Sequence, residues 1–182
     1  MPHIDLDPTL PGIMGLLQYR PDTGRLISEM ADVLLRQENS LSRGERELIA
    51  TYVSSLNECE FCTSSHAEFA AAQLDQGMPL VTDVRSQGPQ AAVPAKISAL
   101  LVIAGAVASS GRNVTDDMIA AARAVGATDL ELHDTVLIAA MFCMANRYVD
   151  GLATSRPAEP GQYADFAGRI VEVGYVAAMQ PG

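Results

Sequence analysis

The chain has 182 residues, enough for one domain with a real hydrophobic core. It is 48% hydrophobic and 19% charged, lacks tryptophan, and carries a formal net charge of −10. That charge speaks against nucleic acid or an anionic membrane surface as the main partner, because phosphates reward clustered Lys and Arg.

Residues 1–12 have neither the basic start nor the apolar stretch of a secretory signal, so the expected location is the cytoplasm. They hold Pro2, Pro8 and Pro11 and are expected to form an arm on the body. A short helix is expected over Ile13 to Tyr19. A second should follow Pro21 and end near Gln37, with Leu26, Met30, Val33 and Leu34 on one face. Ser42-Arg43-Gly44-Glu45 has the form of a capping box, which predicts a helix from Arg43 to Leu56. Asn57-Glu58 marks a tight turn, after which a helix resumes to about Leu74. Residues 75–93, with glycines, prolines and few periodic apolar positions, suggest a long surface connection.

Pro94 opens an apolar helix ending near Ser110. Thr115 starts a short helix that stops at Gly126. Thr128-Asp129-Leu130-Glu131 is a second capping box, opening a helix through Met141 to about Leu152. Ser155 to Gly161 is a loop. A last helix over Tyr163 to Met179 is weakened by Gly168 and Gly174, and Val171-Glu172-Val173 also suits an extended segment. The apolar runs Ile97–Ala108 and Val136–Ala145 fall short of the roughly 20 residues that span a bilayer, and fit core helices. No period-2 strand is evident. The pattern predicts an all-α single domain spanning 1–182, with a helical hairpin over 42–74 and a second helical half over 94–154.

The chemistry-bearing segment is Glu47, then Cys59-Glu60-Phe61-Cys62-Thr63-Ser64-Ser65-His66. On one helix Cys62 and His66 are i and i+4 and face the same way. Cys59 and Cys62 are i and i+3, about 5 Å apart at Cα, within disulfide range. Glu47 lies ten residues before the turn at Asn57 and His66 nine after it, so across an antiparallel hairpin they stand nearly level. A carboxylate facing an imidazole holds its tautomer, and the imidazole can take a thiol proton. Glu47, His66 and Cys62 therefore make a candidate proton relay, and Cys59/Cys62 a redox pair. The helix N-terminus would by itself favour Cys59 as the thiolate.

Two alternatives stay open. Four Cys, His and Glu groups also suit a structural zinc site, although three of them crowd one short helix. A C-x-x-C can instead act as a non-catalytic redox sensor or interaction switch. A thioredoxin-like role lacks its strand. Cys143, in an apolar run, fits a buried inert thiol, and His133 an exposed position. Asn146, Arg147 and Asp150 fit helix capping or ion pairing, a subunit contact included.

The pattern E-x11-C-x2-C-x3-H, met by Glu47, Cys59, Cys62 and His66, resembles the AhpD branch of the AhpD/carboxymuconolactone decarboxylase superfamily. The stretches Val114–Asp116, Gly126–Asp129 and Phe142–Asp150, with Asn146-Arg147-x-x-Asp150, are similar to its peroxidase-related subgroup. The resemblance covers roughly residues 42–153. It implies an AhpD-like helical bundle assembled into trimers or hexamers. It also implies reduction of a hydroperoxide substrate, with Cys62 attacking and Cys59 resolving; the thiol chemistry itself calls for no cofactor or metal, but for a dithiol or lipoyl-type reductant to reopen the disulfide. Phe61 stands where the best-known members carry a histidine, which leaves an apolar wall beside Cys62.

Overall fold

The structure, a computed structural model, describes residues 1–159 and 161–178. Among the described residues there is no strand, and no single helix is long and apolar enough to cross a membrane. The α-helices are α1 (Ile13–Tyr19), α2 (Pro21–Arg36), α3 (Arg43–Leu56), α4 (Glu60–Ala71), α5 (Gly77–Gln87), α6 (Ala95–Ser109), α7 (Asp116–Ala124), α8 (Asp129–Gly151) and α9 (Gly161–Ala178). Helices α3, α6 and α8 pack on one another, α4 packs on α3, and α9 crosses α2 and α4.

Both capping boxes are present. Ser42 Oγ accepts from Glu45 N while Glu45 Oε2 accepts from Ser42 N, and Thr128 and Glu131 repeat the exchange at the start of α8. Each satisfies backbone N–H groups that a helix start leaves unpaired. Helix α6 is apolar nearly all round, and Ile97, Leu100, Leu101, Ile103 and Ala104 make it the middle of the core.

Three expectations change. Residues 75–93 are not a plain connection: they contain α5, held between Gly77 and Gly88, both at φ 56°. Only Val81 and Val84 of α5 are buried, too few anchors to write a helical period into the sequence. In α2, Leu26 and Val33 are exposed, and the inward face is Gly24, Ser28, Ala31, Leu34 and Leu35. Close approach decides this: a Cβ on Gly24 would lie 2.3 Å from the Leu17 carbonyl oxygen, so small residues, not the largest ones, mark the contact. The last helix begins at Gly161, two residues early, and Val171–Val173 stay helical. It breaks at Gly174 (φ 87°, ψ 175°), and the expected end at Met179 lies outside the described residues.

The single lysine has a structural task. Lys96 Nζ lies 2.7 Å from Glu131 Oε1, which also accepts from Ser40 Oγ at 2.8 Å. Burial opposes the Glu131 charge, yet the bonds from Lys96, the Thr128 N–H and Ser40 hold its pKa down at about 2. Lys96→Met should therefore cost about 1–3 kcal/mol of stability at neutral pH in denaturant unfolding. A depressed carboxyl stabilises above its unfolded value of about 4.3 and ceases to do so as pH falls through its folded value. The wild type should keep this contribution down to more acidic pH than the variant, which loses it sooner.

Candidate active site

Helices α3 and α4 form the expected hairpin. Asn57 ends α3, Glu58 turns the chain at φ 59°, and Cys59 is the residue before the first turn of α4. At the far end the helices nearly touch: a Cβ on Gly44 would lie 2.7 Å from the Gln73 carbonyl oxygen. The hairpin therefore sets the separation across which side chains of α3 and α4 meet.

Glu47 and His66 meet there. Glu47 Oε2 is 2.7 Å from His66 Nδ1, and the carboxylate is only 1% exposed. A buried carboxylate must be hydrogen-bonded to remain tolerable, and this one has two partners. The second was not foreseen: Tyr175 of α9 donates its hydroxyl to Glu47 Oε1 at 2.5 Å. No sequence signal tied the two together, since they are 128 positions apart.

The His66 ring sits edge-on to Phe142 at 4.5 Å and Phe69 at 5.0 Å, and stacks over Tyr175 at 6.3 Å between centroids. These walls allow the ring little freedom. Its open side faces a cavity of about 130 Å³ lined by Cys62, His66, Phe61, Phe69, Phe142 and Phe166, among other mainly apolar residues. Cys62 lines this cavity, whereas Cys59 does not and is fully buried behind it. Neither sulfur hydrogen-bonds directly to His66, so the second link of the relay must run through whatever occupies the cavity.

The cysteines are free thiols. The Cys62 thiol, aimed at Cys59, lowers the Cys59 pKa despite burial, and the Cys62 backbone N–H helps. The same contact, with burial and the Cys59 charge, pushes Cys62 far up. The first proton leaves this pair more easily than it would a lone buried thiol, and the second less easily. Asn146 of α8 opposes the rise at Cys62. Its amide orientation is fixed, because Asn57 Nδ2 donates to Asn146 Oδ1 at 2.9 Å and Asn146 Nδ2 donates to Ser54 Oγ at 3.1 Å. Asp150, one turn on, raises both thiols. Among the described residues no three His, Cys, Asp or Glu side chains converge as a metal-ligand set.

The N-terminal arm roofs the cysteines. Ile4, Leu6 and Ile13 pack on the cluster of Cys59, Phe61 and Cys62, and backbone bonds from His3 to Leu152 and from Gly12 to Ser155 tie the arm down. Gly12, at φ 60°, lies flat on the Phe61 ring, where a Cβ would be 2.2 Å from Phe61 Cζ.

No curated protein matches the chain. Residues 21–76, which include α2, α3 and α4, match the carboxymuconolactone decarboxylase family. Among solved structures, one similar to this chain is an alkylhydroperoxidase AhpD core, an uncharacterized peroxidase-related protein from Ralstonia eutropha JMP134. Its TM-score is 0.76 at 25% identity, with 85% of this chain and 79% of that chain covered. The matched segment and this neighbour make the chain similar to the AhpD-like carboxymuconolactone decarboxylase superfamily. An uncharacterized peroxidase-related protein from Silicibacter sp. TM1040 shares the fold, with TM-score 0.76, 23% identity, and 85% and 78% of the two chains covered.

Within this fold the remaining candidates separate. Cys143 is half-buried, not buried, with Asn57 Nδ2 at 3.5 Å from its sulfur. Helix α8 turns Met141, Phe142, Ala145, Asn146 and Val149 inward, and that stripe leaves Cys143 at its edge. His133 is exposed, as expected. Asn146 neither caps a helix nor pairs with an ion: it is fully buried beside Cys62. Arg147 is exposed and bonds only the Cys143 carbonyl of its own helix.

The shared thiol contact has a measurable consequence. Followed by thiolate absorbance, the wild type should ionise one thiol below the usual range of about 8.5. In Cys62→Ala, where the S–H aimed at Cys59 is gone, that ionisation should move to higher pH.

Proposed function

We propose that the chain is a thiol-dependent peroxidase that reduces an apolar organic hydroperoxide through Cys62 and Cys59. The observation that carries this reading is that Cys62 and His66 line one apolar cavity while Glu47 holds His66 from behind. A cavity so lined favours an alkyl or aryl group over water, so a bulky hydroperoxide should outcompete hydrogen peroxide.

The steps balance without a metal or organic cofactor. The cysteine pair gives its first proton to His66 by way of the molecule in the cavity, and the Glu47 carboxylate stabilises the imidazolium. The proton that remains on the pair shifts to Cys59 as the Cys62 sulfur attacks the distal peroxide oxygen. The O–O bond breaks, Cys62 becomes a sulfenic acid, and the departing alkoxide takes the proton from His66. Cys59 then attacks the Cys62 sulfur, releasing water and closing a disulfide. An external dithiol of the dihydrolipoyl type reopens it by exchange.

Stopped-flow oxidation by cumene hydroperoxide tests the scheme. Cys62→Ser should abolish the fast phase, and Cys59→Ser should keep it while accumulating sulfenic acid. His66→Ala should slow it about 10²–10⁴-fold, the range of a lost acid–base group. The reverse pattern in the cysteine variants would exchange their roles. A single oxidation with no turnover in the presence of dihydrolipoamide would make the pair a switch, not an enzyme.

A further inference from the structure

We infer that Tyr175 is a positioning residue of the site: its hydroxyl, seated on Glu47, fixes His66 as the Nδ1–H tautomer and leaves Nε2 free to act as a base. This rests on the reading of His66 as the base in peroxide reduction, but its central claim concerns the tautomer and can be tested without turnover.

Hydrogen-bond accounting leads to it. Among the described residues each of the two Glu47 oxygens has a single partner, His66 Nδ1 on one and the Tyr175 hydroxyl on the other. Two arrangements satisfy the Glu47–His66 contact. In the first the carboxylate is ionised, Nδ1 donates to it, and Nε2 carries a lone pair. In the second the carboxyl is neutral and donates to Nδ1, so that Nε2 carries the hydrogen and cannot accept a proton. Only the first serves a base.

Tyr175 decides between them. A phenol donating to a carboxylate makes a charge-assisted bond, stronger than one to a neutral acid, so it favours the ionised form. Burial, followed by the adjacent Glu47 charge, raises the Tyr175 pKa well above its ordinary value, which keeps the hydroxyl protonated and donating. Among the described residues no Lys or Arg forms an ion pair with Glu47, so the phenol is the one donor to its carboxylate besides His66.

The chain places this hydroxyl with more care than packing requires. Helix α9 breaks at Gly174, and α2 clamps both sides of the break. Arg36 Nη1 donates to the Ile170 and Val171 carbonyls at 2.6 and 3.1 Å. The Asp32 carboxylate accepts from the Tyr175 and Val176 N–H groups at 2.8 and 3.0 Å, as a capping residue would. A Cβ at Gly174 would lie 2.8 Å from Asp32 Oδ1, and its φ of 87° suits only glycine. The kink turns the Tyr175 ring over His66 and its hydroxyl onto Glu47.

Nitrogen-15 NMR of the His66 ring in the full chain, at a pH where the ring is neutral, provides the test. The wild type should show Nδ1 protonated and Nε2 bare. Tyr175→Phe, which keeps the ring and removes only the hydroxyl, should populate the Nε2–H tautomer. It should also slow single-turnover oxidation by cumene hydroperoxide about 10- to 100-fold. Gly174→Ala, which retains the hydroxyl but disturbs its seat, should shift the tautomer in the same direction. A wild-type ring found as Nε2–H, or a Tyr175→Phe ring with the wild-type tautomer, overturns the inference even if the rate falls. If the wild type shows the expected tautomer but no peroxide turnover, Tyr175 keeps this role and the peroxidase reading is the one that fails.

Discussion

A carboxylate taken out of water has to be given donors, and much of this molecule is arranged to supply them to Glu47. An unpaired carboxylate in such a place would take up a proton or unfold its surroundings. Its two partners come from different parts of the chain, His66 across the α3–α4 hairpin and Tyr175 from α9. The hairpin brings the first by register alone. The second requires α9 to cross α2 and break at one glycine, which is why Asp32 and Arg36 of α2 belong to the same arrangement although they are remote from the sulfurs.

The two cysteines divide their environment. Cys62 shares the apolar cavity with His66, while Cys59 is enclosed by α1, the N-terminal arm and α8. Ionisation and access thus point to different atoms: the lower pKa belongs to the enclosed sulfur, the open face to the other. A proton that can pass between the sulfurs reconciles these, since one negative charge serves whichever of them reacts. Asn146 and Asp150 pull in opposite directions on Cys62, Asn146 favouring its anion and Asp150 opposing it.

Most of the fold was legible because its signals are local. Capping boxes at Ser42 and Thr128, proline at position 94 and glycine at position 126 mark helix limits whatever the rest of the chain does. The Glu47–His66 contact was also legible, because counting outward from one tight turn fixes the level of two residues in a hairpin. What escaped depended on distant partners. Helix α5 has too few buried positions to show a period, and the inward face of α2 is chosen by how closely backbones approach, not by side-chain size. Tyr175 reaches Glu47 through a bend whose direction only the packed α2 defines, and Asn146 looks like a surface residue until α8 is rotated into place.

The residue that opens α4 is Cys59, whose sulfur makes no full capping bond although the Cys62 N–H lies on its side of the first turn. Sulfur is a weak acceptor, so the first turn hangs on backbone bonds such as Thr63 N–H to the Cys59 carbonyl at 2.9 Å. A serine or aspartate there would steady the helix by about 1 kcal/mol. Natural selection for sturdiness alone would have placed an oxygen at this spot. The chain instead accepts a weaker cap at a buried helix start, and in return the atom best placed to feel the amide dipoles is one that can change its oxidation state.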